Sequence, residues 1–420
     1  MDKIEKLYDE AKQQFAQYGV DTEKALGILQ KVSISIHCWQ GDDVGGFEKP
    51  DAVLGAGGTL VTGNFKGKAR TIKELRADIE KVLTLVPGKN RLNLHANYGE
   101  FGGKLVDRDQ IEPTHFQGWV DWAKKTDVML DFNCTMFSHP KVDSGYTISD
   151  KDERIRNFWI EHIRRCREIS DFFGKELKQS CIHNIWIPDG SKDLTVDRYK
   201  HRQLLVDSLD KIFNTKYDKK YMRDSLESKL FGIASESYVV GSHEFYMGYS
   251  IKNNHMICLD MGHFHPTESV ADKISSMLLF VPEIMLHVSR GVRWDSDHVV
   301  ILNDDLRYLF EEIVRADALS RVNIGLDFFD ASINRIGAWV IGTRATQKAL
   351  LIALLEPTAK LREYEDNVLY AERLALLEEA KALPWAVVWD YYCHQQNKPV
   401  GMDLIKEIQQ YEKDVLNKRT

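Results

Sequence analysis

The chain has 420 residues, enough for two or three average domains or for one barrel enlarged by insertions. Hydrophobic residues make up 43% and charged residues 28%, ordinary for a soluble globular protein, and a formal charge of −7 excludes a general nucleic-acid binder, which would carry basic excess. No apolar run approaches the ~18 residues of a membrane span, and the six cysteines form no C-x-x-C pair, which implies reduced, mostly buried thiols in a cytoplasmic protein.

In chain order, residues 3–17 place Ile4, Leu7, Tyr8, Ala11 and Phe15 on one helical face. This start is charged and amphipathic and has no apolar core, so no signal peptide is expected. Asp21 or Thr22 caps a second helix over 23–31. Apolar, β-rich runs then recur at 32–39, 91–97, 128–133, 181–188, 225–231, 256–260, 284–288 and 323–328. Stretches of helical periodicity, such as 153–174 and 305–318, separate most of them. Near-continuous apolar strands alternating with helices indicate a parallel sheet, and this number of them favours a closed (β/α)8 TIM barrel in the α/β class. A ninth run, HVVILND (298–304), is read as part of a β–α loop inserted after the seventh strand. The Gly-rich stretch 55–69 fails as a phosphate loop, because Ala69 follows Lys68 where Ser or Thr is required. A lid or subunit-contact loop is the better reading. From 345 to 382 the pattern is strongly helical, with Pro357 marking a boundary. The expected organisation is a catalytic barrel with N-terminal helices over 1–340, then a helical extension over 341–420 that packs on the barrel and on neighbouring subunits.

Acids and imidazoles gather at the ends of the apolar runs. They are Glu227 and Lys229 in LESKLFG, then Asp260, His263 and His265 in CLDMGHFHP, and His287 in LHVSR. Asp295, Asp297 and His298 follow in WDSDH, and Asp327 and Asp330 in GLDFFD. A parallel barrel delivers ligands in this way, one from the end of each strand. Each cluster has a plainer alternative: an exposed ion pair for Glu227 and Lys229, a helix-capping Asp and surface His for Asp260 and His263, a solvated loop for the D-x-D. His287 alone would be a satisfied core residue, and Asp330 and Asn334 would cap a helix. Together, so many ionisable groups cannot be buried without a counter-charge. Carboxylates and imidazoles without cysteine suit a hard or borderline divalent ion such as Mn²⁺, Mg²⁺ or Co²⁺. The number of ligands fits two ions sharing a bridging carboxylate. His37, Trp39, His95 and Trp186 end other strand-like runs. Aromatic and imidazole groups around such a site suit a sugar, although Trp39 and Trp186 would serve equally as core.

The motifs HCWQGDD (37–43), RLNLHANY (91–98), LDFN (130–133), NIWIPDG (184–190), ESKLFG (227–232), LDMGHFHPTE (260–268), HVSRGVRWDSDHVV (287–300) and GLDFFDASINRI (325–336) resemble L-rhamnose isomerase over about residues 5–415. The resemblance implies a (β/α)8 barrel with extra C-terminal helices and a cytoplasmic homotetramer. It also implies interconversion of L-rhamnose and L-rhamnulose in rhamnose catabolism, with two divalent ions per subunit. These are commonly Mn²⁺, with Co²⁺, Zn²⁺ or Mg²⁺ as substitutes. A structural ion would take Glu227, Asp260, His287 and Asp327. A catalytic ion would take His263, Asp295 and Asp297, with Asp260 able to bridge. Lys229, Asp327 and His263 would be the catalytic groups, and His95, Trp186 and Lys229 would contact substrate. The expected reaction is a metal-assisted 1,2-hydride shift. The rival class is another metal-dependent barrel acting on sugars, an aldolase or a hydrolase.

Overall fold

In a computed structural model, which describes residues 3–48, 61–230, 235–292 and 294–419 (without the side chains of 294–296), the apolar runs are short parallel strands. They are β1 (Ser33–His37), β2 (Lys89–His95), β3 (Met129–Asn133), β4 (Cys181–Trp186), β5 (Met222–Glu227), β6 (Met256–Asp260), β7 (Ile284–Val288) and β8 (Val322–Leu326). They pair in sequence order and close into a barrel where Ile34 of β1 meets Ile324 of β8. A helix follows each strand, from Ile72–Leu85 after β1 to Arg335–Leu354 after β8. Strands covered on both faces have no polar side to show, which is why β6 and β7 are buried at every position.

The helix starts follow the capping residues. Asp21 accepts from Lys24 N and opens Thr22–Leu29, and Asn303 accepts from Leu306 N to open Asp304–Arg315. The run at 298–304 forms no ninth barrel strand. Trp294–His298 pairs with Arg290–Val292 in a small antiparallel hairpin inserted after β7. Helix Arg335–Leu354 is buried on most faces and packs against Asp304–Arg315. The expected division at 340/341 therefore falls inside one helix, the one that completes the barrel. Periodicity misses that boundary because a helix buried all round has no polar stripe to interrupt. Four helices follow, from Thr358–Asp366 to Gly401–Asp414. Trp385–Gln395 packs back on the first helix, where Tyr391 and Tyr8 stack with ring centroids 3.7 Å apart. No described helix is long and apolar enough to cross a membrane. All six cysteines are free and buried.

Part of the Gly-rich stretch, up to residue 60, lies outside the described residues. Its remainder is tied to its own barrel: Phe65 donates its N–H to Ala331 O (2.7 Å), and Arg335 Nη1 donates to Phe65 O.

A buried ion pair braces the wall between β5 and helix Glu153–Leu177. Arg167 donates to both oxygens of Asp224 at 3.0–3.2 Å, and His183 Nδ1 lies 3.0 Å from Asp224 Oδ1. Burial holds His183 below its ordinary value, so it is a neutral donor and Arg167 supplies the charge. Burial alone would raise the Asp224 carboxyl, but these partners outweigh it and hold it at about 2. Its stabilisation is therefore full above the unfolded value near 3.8 and is lost as pH falls toward 2. Arg167→Met should leave this carboxylate buried without its counter-charge and lower stability by about 3–5 kcal/mol. Denaturant unfolding at neutral pH reads this, and a loss below about 1 kcal/mol would contradict it.

Candidate active site

The C-terminal ends of the strands converge on one cavity, lined by Trp39, Val44, His95, Asn133, Phe137, Trp186, Glu227, His263, Asp297, Asp327 and Phe329. On its floor are two overlapping donor groups, Glu227–Asp260–His287–Asp327 and Asp260–His263–Asp297. Within each, one donor atom per residue lies within 4.8 Å of all the others, and Asp260 belongs to both. Strand register produces this arrangement: Asp260 lies directly opposite His287 on β7, and Trp186 lies opposite Glu227 on β5. His287 Nδ1 is 3.1 Å from Glu227 Oε2, 3.3 Å from Asp327 Oδ2 and 3.6 Å from Asp260 Oδ2. His263 Nδ1 is 3.2 Å from Glu227 Oε1. The side chain of Asp295 lies outside the described residues.

The electrostatics show what the cluster lacks. Burial lifts the Asp260 carboxyl to about 7, with Glu227 and Asp327 adding to the rise and His263 and His287 opposing it. Burial would do the same to Glu227, but His287 and His263 outweigh it and hold Glu227 well below the carboxylate range. Burial disfavours a charged His287, yet Cys258, Glu227 and Asp327 overcome it and raise this imidazole well above its ordinary value. Asp260 Oδ2 is buried and accepts no hydrogen bond from a described residue. Four carboxylates share this small volume with two imidazoles and call for positive charge. Oxygen and nitrogen donors in these numbers fit one or two divalent ions.

Several groups that aim the ligands are not evident from the sequence. Trp39 Nε1 donates to Asp327 Oδ1 at 2.9 Å, leaving Oδ2 toward the cluster. Ser289 Oγ and Gly262 N both donate to Asp260 Oδ1, at 2.9 and 2.6 Å. Asn184 Nδ2 donates to Glu227 Oε2. Such donors fix which carboxylate oxygen faces an ion. Gly262 has a second reason to lack a side chain: a Cβ there would come within 3.1–3.2 Å of Ser289 Oγ, Asp260 Oδ1 and Asp297 Oδ1.

Lys229 lies beyond the end of β5 yet is buried at 2% exposure, with Nζ 5.0 Å from the centre of the Trp186 ring. The plainer alternative of an exposed pair with Glu227 is thereby excluded. Trp186 also stacks on His263, and His95 meets Trp39 edge-on at 4.8 Å. Thr135 Oγ1 lies 3.2 Å from His95 Nδ1. Other imidazoles and acids stay outside the cluster. His265 bonds Thr267 Oγ1 on the surface, His298 is exposed, and His37 packs on Phe328. Asp330 accepts from Ser332 N, and Asn334 caps Arg335–Leu354. The helix-cap alternative holds for Asn334, whereas Asp330 closes a local turn with Ser332 ahead of the helix.

Residues 2–419 match a family described as L-rhamnose isomerase (RhaA). A Bacteroides thetaiotaomicron protein named L-rhamnose isomerase is 59% identical over 416 residues, covering 99% of each chain. Proteins of the same name from Listeria innocua and Mannheimia succiniciproducens are 55% and 56% identical, the first over 99% and the second over 100% of both chains.

Proposed function

The chain belongs to the L-rhamnose isomerase family, and from that premise we propose that it interconverts L-rhamnose and L-rhamnulose with two divalent ions, by a 1,2-hydride shift. The observation that carries this reading is the pair of donor groups sharing Asp260, set under aromatic walls with one buried ammonium beside them. Glu227, Asp260, His287 and Asp327 would hold the inner ion. His263, Asp295 and Asp297 would hold the outer one, with Asp260 between. Ions bound there, Mn²⁺ by preference, would act as Lewis acids toward the sugar oxygens.

The chain's own residues do the rest. Trp39, Phe137, Trp186 and Phe329 exclude water and pack on the apolar face of the open-chain sugar. Lys229, held over Trp186, donates a hydrogen bond to O1 as negative charge develops there. His95, fixed by Thr135, contacts a sugar hydroxyl. Asp327, with one oxygen tied to Trp39, orients a water that carries the proton from O2 to O1. The hydride passes from C2 to C1 and requires no base at carbon. Running the conversion in deuterated water tests that step: solvent label at C1 of the product would sink the hydride shift in favour of an ene-diol route.

A panel of aldoses tests the substrate. L-Rhamnose should be preferred to D-xylose and D-glucose. L-Mannose, which adds only a hydroxyl at C6, should be rejected by about 10²-fold at most, because an apolar wall discriminates weakly against a hydroxyl. Cleavage products in place of a ketose would favour an aldolase or hydrolase. The assembly we propose is a cytoplasmic homotetramer. Helix Tyr370–Lys381 buries none of its residues within the chain and leaves Leu374 60% exposed, with Val368 and Leu369 just before it also exposed. Light scattering at micromolar concentration should give about four times 48.4 kDa. A mass near one chain would overturn the tetramer and leave the chemistry standing.

A further inference from the structure

The barrel holds a third donor group, deeper than the two already described. Glu227, Cys258 and His287 offer atoms that all lie within 4.8 Å of one another, and all three residues are buried. Cys258 lies in register with Glu227 across the β5–β6 pair. It precedes Asp260 by two residues, so both side chains point into the barrel. Below it the surroundings change character: Cys258 forms a small buried cluster with Met256, Met285 and Ile182, separate from the main core. An oxygen-rich mouth thus gives way, within one layer of the barrel, to a floor that carries three sulfur atoms. Among the described residues no other cysteine belongs to a metal-sized donor group.

We propose that Glu227, Cys258 and His287 form a binding site for a thiophilic divalent ion, Cd²⁺, that excludes the hard ion of the four-residue group. One sulfur, one nitrogen and one oxygen donor match the ligand types such ions accept, whereas Mn²⁺ and Mg²⁺ favour the carboxylates above. The two sites share Glu227 and His287, so an ion in one leaves the other without half its ligands. Coordination forms the sulfur–metal bond and releases the thiol proton to solvent. The result is a selectivity device: a soft ion is drawn below the level at which the sugar is met, and the Mn²⁺-type arrangement is lost. The inference rests on the reading that Glu227 and His287 hold a divalent ion.

The test is a Cd²⁺ titration of the full-length protein after chelation, read by near-ultraviolet absorbance, with a parallel Mn²⁺ titration read by the paramagnetic signal of free Mn²⁺. One thiolate-to-Cd²⁺ charge-transfer band per chain is expected. It should be lost in Cys258→Ser and in Cys258→Ala, and Cd²⁺ should release Mn²⁺ from the loaded wild type. Stoichiometric Cd²⁺ binding with no such band, or a band that persists in both variants, would overturn the proposal while leaving the Mn²⁺ site intact. If both variants fail to fold, X-ray absorption of the Cd²⁺-loaded wild type decides: one sulfur neighbour supports the site, and a shell of oxygen and nitrogen alone refutes it. Failure of the wild type to bind either ion would remove the underlying reading of Glu227 and His287 together with this one.

Discussion

Removal of divalent metal with a chelator should lower turnover of L-rhamnose by a factor on the order of 10³ or more, and Mn²⁺ or Co²⁺ should restore it. The magnitude follows from the several kcal/mol that a Lewis acid contributes to stabilising charge on oxygen, since ~4 kcal/mol corresponds to about 10³ in rate. The same treatment should lower thermal stability. Glu227, Asp260 and Asp327 crowd around His287 at 3.1–3.6 Å, and a divalent ion would add positive charge that a single imidazole between three carboxylates supplies only in part. An ion that binds the folded state alone adds about 4 kcal/mol at a thousand times its Kd. Calorimetry with and without Mn²⁺ reads this gain independently of the assay. Full activity in a verified metal-free sample would refute the site.

His263→Ala should reduce kcat by about 10²–10³-fold, some 3–4 kcal/mol of barrier. His263 is the one nitrogen donor in the group it forms with Asp260 and Asp297, and its ring continues the stack that begins at Trp186. Removing it strips a ligand from the side of the cluster that faces the cavity while leaving Glu227, His287 and Asp327 in place. Asp295→Asn carries the same expectation for the outer ion. Glu227→Gln should act differently, by weakening metal retention and stability, because Glu227 meets both imidazoles. Steady-state kinetics beside metal analysis separates the two effects. A turnover within a factor of about two of wild type in His263→Ala, ~0.4 kcal/mol, would show that the substrate does not meet this group.

The barrel was legible because each strand announces itself locally. A run such as MICLD or IMLHV is short, apolar and followed by a helical stretch, and a strand buried on both faces needs nothing more. Its polar residue then falls at the C-terminal rim, so Asp260 and His287 could be named as rim groups from the end of their own runs, whereas Glu227 lies inside the expected run 225–231 and ends a strand that starts earlier, at Met222. Lys229 shows the limit of such reasoning. Residues two apart in a strand share a face, but the strand ends at Glu227 and the ammonium reaches the cavity from the loop.

What a sequence cannot carry is the register between strands that are far apart in the chain. Trp39 and Asp327 are separated by 288 positions, and only closure of β1 on β8 brings the indole N–H to the carboxylate. Asn184 reaches Glu227, and Ser289 reaches Asp260, for the same reason: their partners come from neighbouring strands. Cys258 is the sharpest case. Its place two residues before Asp260 is plain in the sequence, and the donor set was nevertheless read as lacking cysteine. Its company with Glu227 and His287 exists only because β6 lies between β5 and β7 in this register. Residue types and their places near strand ends can be read from the chain alone, and with them a donor set rich in oxygen and nitrogen. Which oxygens of Asp260 and Asp327 face inward, and which sulfur lies beneath, depends on distances between strands, about which local periodicity holds no information.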